Sequence, residues 1–267
     1  SSDVEVGWNS LHDLRMGHTI QVHTDGNCFT YSNIRIHDNV LSAASVDDSR
    51  GINVGNACGG SYGSIYNNLL YNLGQDFSAI AIYNGSWKIY NNTLYNIHAT
   101  SGMIWINMLQ GNGSATVDAK NNIFYSDGNS PYMDVFGGSM SLFTLSNNLY
   151  FNYGNGPAQD TTAINANPLF VSAGTGNFHL NAGSPAINTG TSAVSSTVAR
   201  DLDGNPRPIE SAYDMGVYEY GTATPDTTPP TLPANFNLAA NATSQSSITL
   251  SWNPATDDVG IDHYIVE

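Results

Sequence analysis

The sequence is poor in positive charge. Two lysines and five arginines stand against 22 acidic side chains in 267 residues, a formal charge of −15. So few cations cannot neutralise a run of phosphates, which excludes a nucleic-acid partner. No apolar run approaches the roughly 18 residues needed to cross a bilayer, so no membrane span is expected. Charged residues are only 11% of the chain and apolar ones 40%, which excludes a disordered acidic chain and leaves a globular one. The chain opens on Ser1 with no initiator Met and no signal peptide, as a mature or excised piece would. What is abundant is asparagine, 32 residues of it, with 26 glycines and 15 tyrosines. Asn and Gly are poor helix formers, so the composition points to turns and strands.

An internal repeat decides the fold. Ile36-His37-Asp38-Asn39-Val40-Leu41 returns as Ile65-Tyr66-Asn67-Asn68-Leu69-Leu70 and as Ile89-Tyr90-Asn91-Asn92-Thr93-Leu94. Two further copies run Ala119-Lys120-Asn121-Asn122-Ile123-Phe124 and Leu145-Ser146-Asn147-Asn148-Leu149-Tyr150. The second Asn recurs at intervals of 29, 24, 30 and 26 residues (positions 39, 68, 92, 122 and 148). Short alternating segments lie between the copies: Ile20–His23, Ile52–Val54, Ile80–Tyr83, Ile104–Asn107 and Met133–Phe136. Each repeat therefore holds at least two strands joined by Gly- and Asn-rich turns. A unit of that size cannot bury its own apolar face and must stack on its neighbours. A propeller blade needs roughly 40–45 residues, which these spacings do not supply.

The expected fold is all-β, a right-handed parallel β-helix over about residues 17–152, one repeat per coil. Equivalent residues of successive coils then lie about 4.8 Å apart. Asn39, Asn68, Asn92, Asn122 and Asn148 form an internal ladder on this reading. A buried amide at a turn can bond both the backbone and the amide of the next coil.

These coils resemble the pectate-lyase-like superfamily of β-helix proteins. The following stretch is more specific: Asn167-Pro-Leu-Phe170, Phe178-His-Leu180, Gly183-Ser-Pro-Ala-Ile-Asn188, Asp201-Leu-Asp-Gly-Asn-Pro-Arg207 and Tyr213-Asp-Met-Gly-Val-Tyr-Glu-Tyr220. It is similar to the carboxy-terminal segment of secreted bacterial β-helix proteins, some of them polysaccharide lyases. The resemblance implies the fold and a secreted, extracellular or cell-surface location, and implies activity only weakly. Residues 1–221 are assigned to the β-helix with its tail, and 222–231 to a Pro/Thr linker. Residues 232–267 resemble the first strands of a fibronectin type III module, an incomplete β-sandwich. The first coil begins without a recognisable cap, and open coil ends invite self-association. A Cys28–Cys58 disulfide between adjacent coils would fit an oxidising compartment; two separate buried thiols are the alternative.

Alternation also selects the candidate site. With Ile20/Val22, Ile52/Val54, Ile80/Ile82, Ile104/Ile106 and Met133/Val135 inward, Gln21, Asn53, Ala81, Trp105 and Asp134 point out. The adjoining outward column is His23, Gly55, Tyr83, Asn107 and Phe136. Rings beside amides and a carboxylate suit a sugar chain, whose CH face stacks while its hydroxyls take hydrogen bonds. Trp105, Asn107, Asp134, Phe136 and Tyr83 are the candidate glycan contacts, against an ordinary sheet surface as the plainer reading. For catalysis the face offers only His23 or Tyr83 as a base. Asp134 could serve Ca²⁺, with Asp47, Asp48 and Asp76 as further oxygen ligands or simply solvated loop acids. No cofactor beyond Ca²⁺ suggests itself. Lys88 and Asp118, one coil apart on another strand face, read as a surface ion pair. Asp203, Asp214 and Glu219 read as partners for turn amides in the tail.

Two functions follow from different classes. One is a secreted β-helix protein engaging extracellular polysaccharide, with lyase or hydrolase chemistry left open. The other is a non-catalytic structural or adhesive protein assembling end to end into filaments.

Overall fold

A computed structural model describes residues 3–14, 17–22, 30–43, 49–55, 60–74, 78–108, 115–222, 229–234, 237–244 and 247–257. The chain divides into two compact units, Ser1–Thr222 and Ala223–Glu267. The described part of the second holds an antiparallel pair, Ala239–Ser244 with Ser247–Ser251, and a bridge between Thr231 and Thr256.

The first unit is a parallel β-solenoid of three sheets. Sheet A stacks Val4–Gly7, Ile34–His37, Tyr62–Tyr66, Gly85–Tyr90, Ala115–Lys120 and Phe143–Ser146. Sheet B stacks Ser10–Leu14, Val40–Ala43, Leu69–Tyr71, Thr93–Ile97, Ile123–Ser126, Leu149–Phe151 and Ile164–Asn165. Sheet C stacks Gly17–Val22, Ser49–Val54, Ile80–Ile82, Ile104–Asn107 and Met133–Phe136. The described residues contain no α-helix, in keeping with their Asn and Gly content.

Columns of like residues fill the interior. Ile20, Ile52, Ile80, Ile104 and Met133 are register partners in sheet C, and so are Val22, Val54, Ile82, Ile106 and Val135. Sheet B contributes Leu41, Leu70, Leu94, Phe124 and Tyr150, the last two stacked at 5.3 Å between centroids. In sheet A the buried Trp87 lies beside Gly63, where a Cβ would stand 2.4 Å from the indole. A large ring fits the column only because its neighbour has no side chain.

The paired asparagines make the A-to-B turn, each doing a different job. The first position is left-handed in every coil: Trp8, Asp38, Asn67, Asn91, Asn121 and Asn147 have φ between 50° and 57°. Asn and Asp tolerate that region best among non-glycine residues. The second position is the ladder. Asn39, Asn68, Asn92, Asn122 and Asn148 are all fully buried. The Nδ2 of each donates to the Oδ1 of the next, at 2.9 Å from Asn39 to Asn68 and from Asn122 to Asn148, and at 3.0 Å for the two steps between. Each of the first four also donates its backbone N–H to that same oxygen at 2.9–3.2 Å. The column is longer than the repeat suggests. It starts at Asn9, which donates to Asn39 at 2.9 Å, and ends on Asp160, whose Oδ2 accepts from Asn148 Nδ2 at 2.8 Å. All amides thus point one way, and a carboxylate that can only accept terminates them.

The tail docks on the first asparagine of each pair. Asn147 Nδ2 donates to Thr189 O at 3.0 Å, and Asn121 exchanges two bonds with the backbone of Thr191 at 2.8 and 3.0 Å. Asn91 Nδ2 reaches Asp214 O at 3.0 Å, and Asn67 Nδ2 reaches Arg200 O at 2.6 Å. The tail's acids hold its own turns. Asp214 accepts from the N–H groups of Asn188 and Tyr220, and Glu219 accepts from those of Asp214 and Ile209. Asp203 differs from the sequence expectation. It pairs with His179 Nε2 at 2.7 Å, while Asp201 takes the turn amides of Asp203 and Asn205. The pairing expected for Asp118 also changes. Although Lys88 is its register partner, the carboxylate is held by Lys120 Nζ at 2.6 Å and by the Tyr90 hydroxyl. Lys120 is two residues away on the same strand face, so its amine reaches Asp118 along the strand.

Burial pushes the Asp214 carboxyl up to about 6 from an ordinary 3.8, outweighing its two backbone donors. Because the folded value is raised, this group's stabilising contribution is complete below pH 3.8 and lost as pH rises through 6. Unfolding midpoints of the parent and of Asp214→Asn at pH 4, 5, 6 and 7 should therefore differ in slope across that window. Parallel curves would show that Asp214 titrates normally.

Candidate functional site

The outer face of sheet C has the register that alternation implies. Gln21, Asn53, Ala81, Trp105 and Asp134 are partners across five strands, and Asn107 lies opposite Phe136. The three rings come together. The Tyr83 and Trp105 centroids are 5.9 Å apart at 78°, and those of Trp105 and Phe136 are 6.4 Å apart at 42°. This is a continuous aromatic ridge crossing three coils.

Exposure along the ridge is uneven. Trp105 is only 7% exposed, against the free outward ring expected from alternation, while Phe136 is 51% exposed. Tyr83 and Asp134 are half-buried, and Asn53 and Asn107 are buried. Facing away from the solenoid interior does not make a side chain accessible when large neighbours flank it. Trp105 is thus the ridge's buried centre, and Phe136, Tyr83 and Asp134 are its accessible part, while the exposed Gln21 lies three strands from Trp105 on the first coil. Trp105→Ala should then cost about 3 kcal/mol of stability, in the range for buried aromatic deletions. Thermal and urea unfolding of the variant will show this; an unchanged midpoint would mean that the indole contributes nothing to packing.

His23, proposed as a base, lies outside the described residues, as do Asp47, Asp48 and Asp76 proposed for Ca²⁺ and the two cysteines, Cys28 and Cys58. Within the described columns the face supplies rings, amides and one carboxylate, Asp134. Stacking and hydrogen bonding are the chemistry that such a set performs.

No family model matches the chain. Chitinase A1 of Niallia circulans is 40% identical over 82 residues, which are 30% of this chain and 11% of that protein. Chitinase Chi52 of Paenibacillus xylanexedens is 47% identical over 45 residues, 17% of this chain and 8% of that protein. The chain therefore spans about a tenth of the length of these curated relatives.

A second titratable group stands on sheet A. His37 is 3% exposed, and its Nδ1 meets Asp38 at 2.5 Å and its Nε2 meets Glu5 at 2.9 Å. The ring stacks on Tyr66 at 4.6 Å between centroids. The hydrogen bond from Arg35 holds the Glu5 carboxyl below its usual range, partly opposed by burial. With both ring nitrogens engaged, His37 has none left for a substrate, and the cluster serves to tie two coils together. The Glu5 contact could not be read from the sequence, because it joins residues 32 apart through the coil register.

Proposed function

We propose that this chain is a secreted β-helix protein of the pectate-lyase-like kind that engages extracellular polysaccharide along the outer face of sheet C. The observation that carries the reading is the Tyr83–Trp105–Phe136 ridge, beside the Asn107 amide and without Lys or Arg among the described residues of its register columns. A buried indole between two more accessible rings gives a rigid platform for the CH faces of sugars, and the Asp134 carboxylate can accept from their hydroxyls. Neutral glycans suit the face better than polyanions, given a net charge of −15. Partial similarity to two proteins named chitinases points to the same substrate class. Lyase or hydrolase chemistry would rest on His23 or Tyr83 as base, with Ca²⁺ as the candidate cofactor and Asp134, Asp47, Asp48 and Asp76 as its candidate ligands.

The ladder's ending argues against the filament reading. A second copy stacked on the ladder's carboxy-terminal end would need a donor where the Asp160 side chain offers only acceptors. Gly156 lies against Tyr150, close enough that a Cβ would stand 2.2 Å from the ring.

Affinity electrophoresis and calorimetry against a panel including chitin oligomers, xylan and pectate test the proposal. Phe136→Ala should weaken binding about tenfold, corresponding to about 1.4 kcal/mol. Ultraviolet absorbance of unsaturated products would report lyase turnover. A Phe136→Ala, Tyr83→Ala protein that holds every glycan as the parent does would sink the ridge as a binding track.

A further inference from the structure

The outer face of sheet B carries a second, unassigned feature. Tyr71, Tyr95, Tyr125 and Phe151 are successive register partners there, and the tail's antiparallel hairpin, Phe170–Ser172 with Asn177–Leu180, lies over them. Phe178 fills one end of the junction, 5.1 Å from both Tyr71 and Tyr95 between centroids. At the other end the closure is incomplete. A half-open cleft of about 250 Å3 remains, lined by Tyr95, Tyr125, Asn167, Leu169, Phe170, Ala173 and Asn181.

The lining has the composition of a binding site. Tyr95 and Tyr125 form a ring pair at 4.6 Å and 47°, and Phe170 closes the side at 6.1 and 6.4 Å from them. Among the described residues neither tyrosine hydroxyl has a hydrogen-bond partner. Asn167 spends its Oδ1 on Leu169 N–H at 2.9 Å, leaving its Nδ2 as a donor. Asn181 spends its Nδ2 on Phe170 O at 3.1 Å, leaving its Oδ1 as an acceptor. Leu169 holds a φ of +54°, which L side chains rarely adopt, and is fixed there from both sides: its N–H by Asn167 and its carbonyl by Asn181 N–H at 3.0 Å. This backbone keeps an exposed leucine at the cleft's rim. No charged group lines the space.

We infer that this cleft binds a single neutral pyranose unit. Rings and Leu169 take the CH face, and two hydroxyls, one amide donor and one amide acceptor meet the sugar's vicinal hydroxyls. The volume lies below the range of pockets that bury drug-sized ligands, which limits the occupant to about one ring. An anionic sugar would be left without a counter-ion, and an all-apolar ligand would leave the two half-buried tyrosine hydroxyls unanswered. The site lies on a different sheet from the aromatic ridge and does not rest on the function proposed for it.

Saturation-transfer NMR and calorimetry with the methyl glycosides of glucose, galactose, xylose and N-acetylglucosamine, and with the corresponding trisaccharides, test it. At least one methyl glycoside should bind saturably. Leu169→Gly, which accepts the positive φ, and Ala173→Phe, which fills the cleft, should each weaken it at least tenfold. Tyr125→Phe, which keeps the ring and removes only the hydroxyl, should weaken it severalfold and reports on the cleft should either of the others fail to fold. A trisaccharide binding more tightly than its methyl glycoside marks the natural occupant as the end of a chain, and equal affinity marks it as a free unit. Repeating the titrations in the Phe136→Ala background separates this cleft from the sheet C ridge. Absence of binding by every sugar there, or affinities untouched by all three cleft variants, would overturn the assignment.

Discussion

Asn92→Ala should lower the unfolding free energy by about 3–4 kcal/mol. The side chain accepts the backbone N–H and the Nδ2 of Asn68 at 2.9 and 3.0 Å, and donates to Asn122 Oδ1, Ile65 O and Tyr90 O. Truncation leaves the buried backbone N–H of Asn68 without an acceptor, at about 1–3 kcal/mol, takes the amide donor from Ile65 O and Tyr90 O and adds a small void, while Asn68 Nδ2 keeps Ile36 O and Tyr66 O at 2.9 Å. Water cannot easily repair this, because the column is sealed between sheets A and B with Asn68, Asn92 and Asn122 fully buried. Asn92→Asp sharpens the test. A carboxylate could still accept from Asn68, but it would have no hydrogen for Asn122 and would place an unpaired charge in the interior. It should therefore destabilise at least as much as alanine. Asp160→Asn at the ladder's end should cost less, since an amide oxygen can replace Oδ2 as acceptor for Asn148, and only the Thr162 N–H held by Oδ1 is then faced by a donor. Urea unfolding of the three variants checks the order. Equal and small losses would mean that the ladder is decorative.

Much of this architecture is legible in the sequence, and the reason is geometric. In a solenoid, spacing along the chain becomes stacking in space, so the recurrence of Asn39 through Asn148 in one register translates directly into one column. The same logic places Ile52 on Ile80 and Trp105 on Asp134. The ladder's ends are not legible, because Asn9 and Asp160 sit outside the repeated motif: Trp8 stands where the first Asn would be, and Asp160 comes from a loop. The first Asn of each pair looks in the sequence like a mere turn former. Its role as a docking strip depends on the tail's path, with partners such as Asn67 and Arg200 separated by 133 residues. Accessibility is the other limit. Alternation says which face Trp105 is on, but whether its ring is open depends on how Tyr83 and Phe136 crowd it. The sheet B cleft also escapes sequence reading, since it needs the hairpin at 170–180 to fall short of covering Tyr125.

Arg207→Met should cost about 4 kcal/mol, far more than the loss of any surface ion pair in this protein. The guanidinium and the Glu219 carboxylate are 2.6 Å apart with side chains 0% and 1% exposed. Around them Arg207 donates to Gly216 O at 2.8 Å and Arg200 O at 3.2 Å, and Glu219 accepts from the backbone of Asp214 and Ile209. Removing the cation leaves a buried carboxylate whose Coulombic partner is gone, and breaking such pairs costs about 3–5 kcal/mol. The Arg35–Glu5 pair has a comparable separation of 2.8 Å but is 34% and 41% exposed. Solvent screens it, so Arg35→Met should cost under about 1 kcal/mol. The two substitutions remove the same charge, so their difference isolates burial. The damage at Arg207 should also be local. Glu219 and Asp214 fix the turns that present Asp214 O and Gly216 O to Asn91, so amide exchange should quicken across residues 199–219 before it does in the coils. If protection is lost uniformly, the tail and solenoid unfold as one cooperative unit. In that case the paired asparagines hold the tail on without help from the buried ion pair.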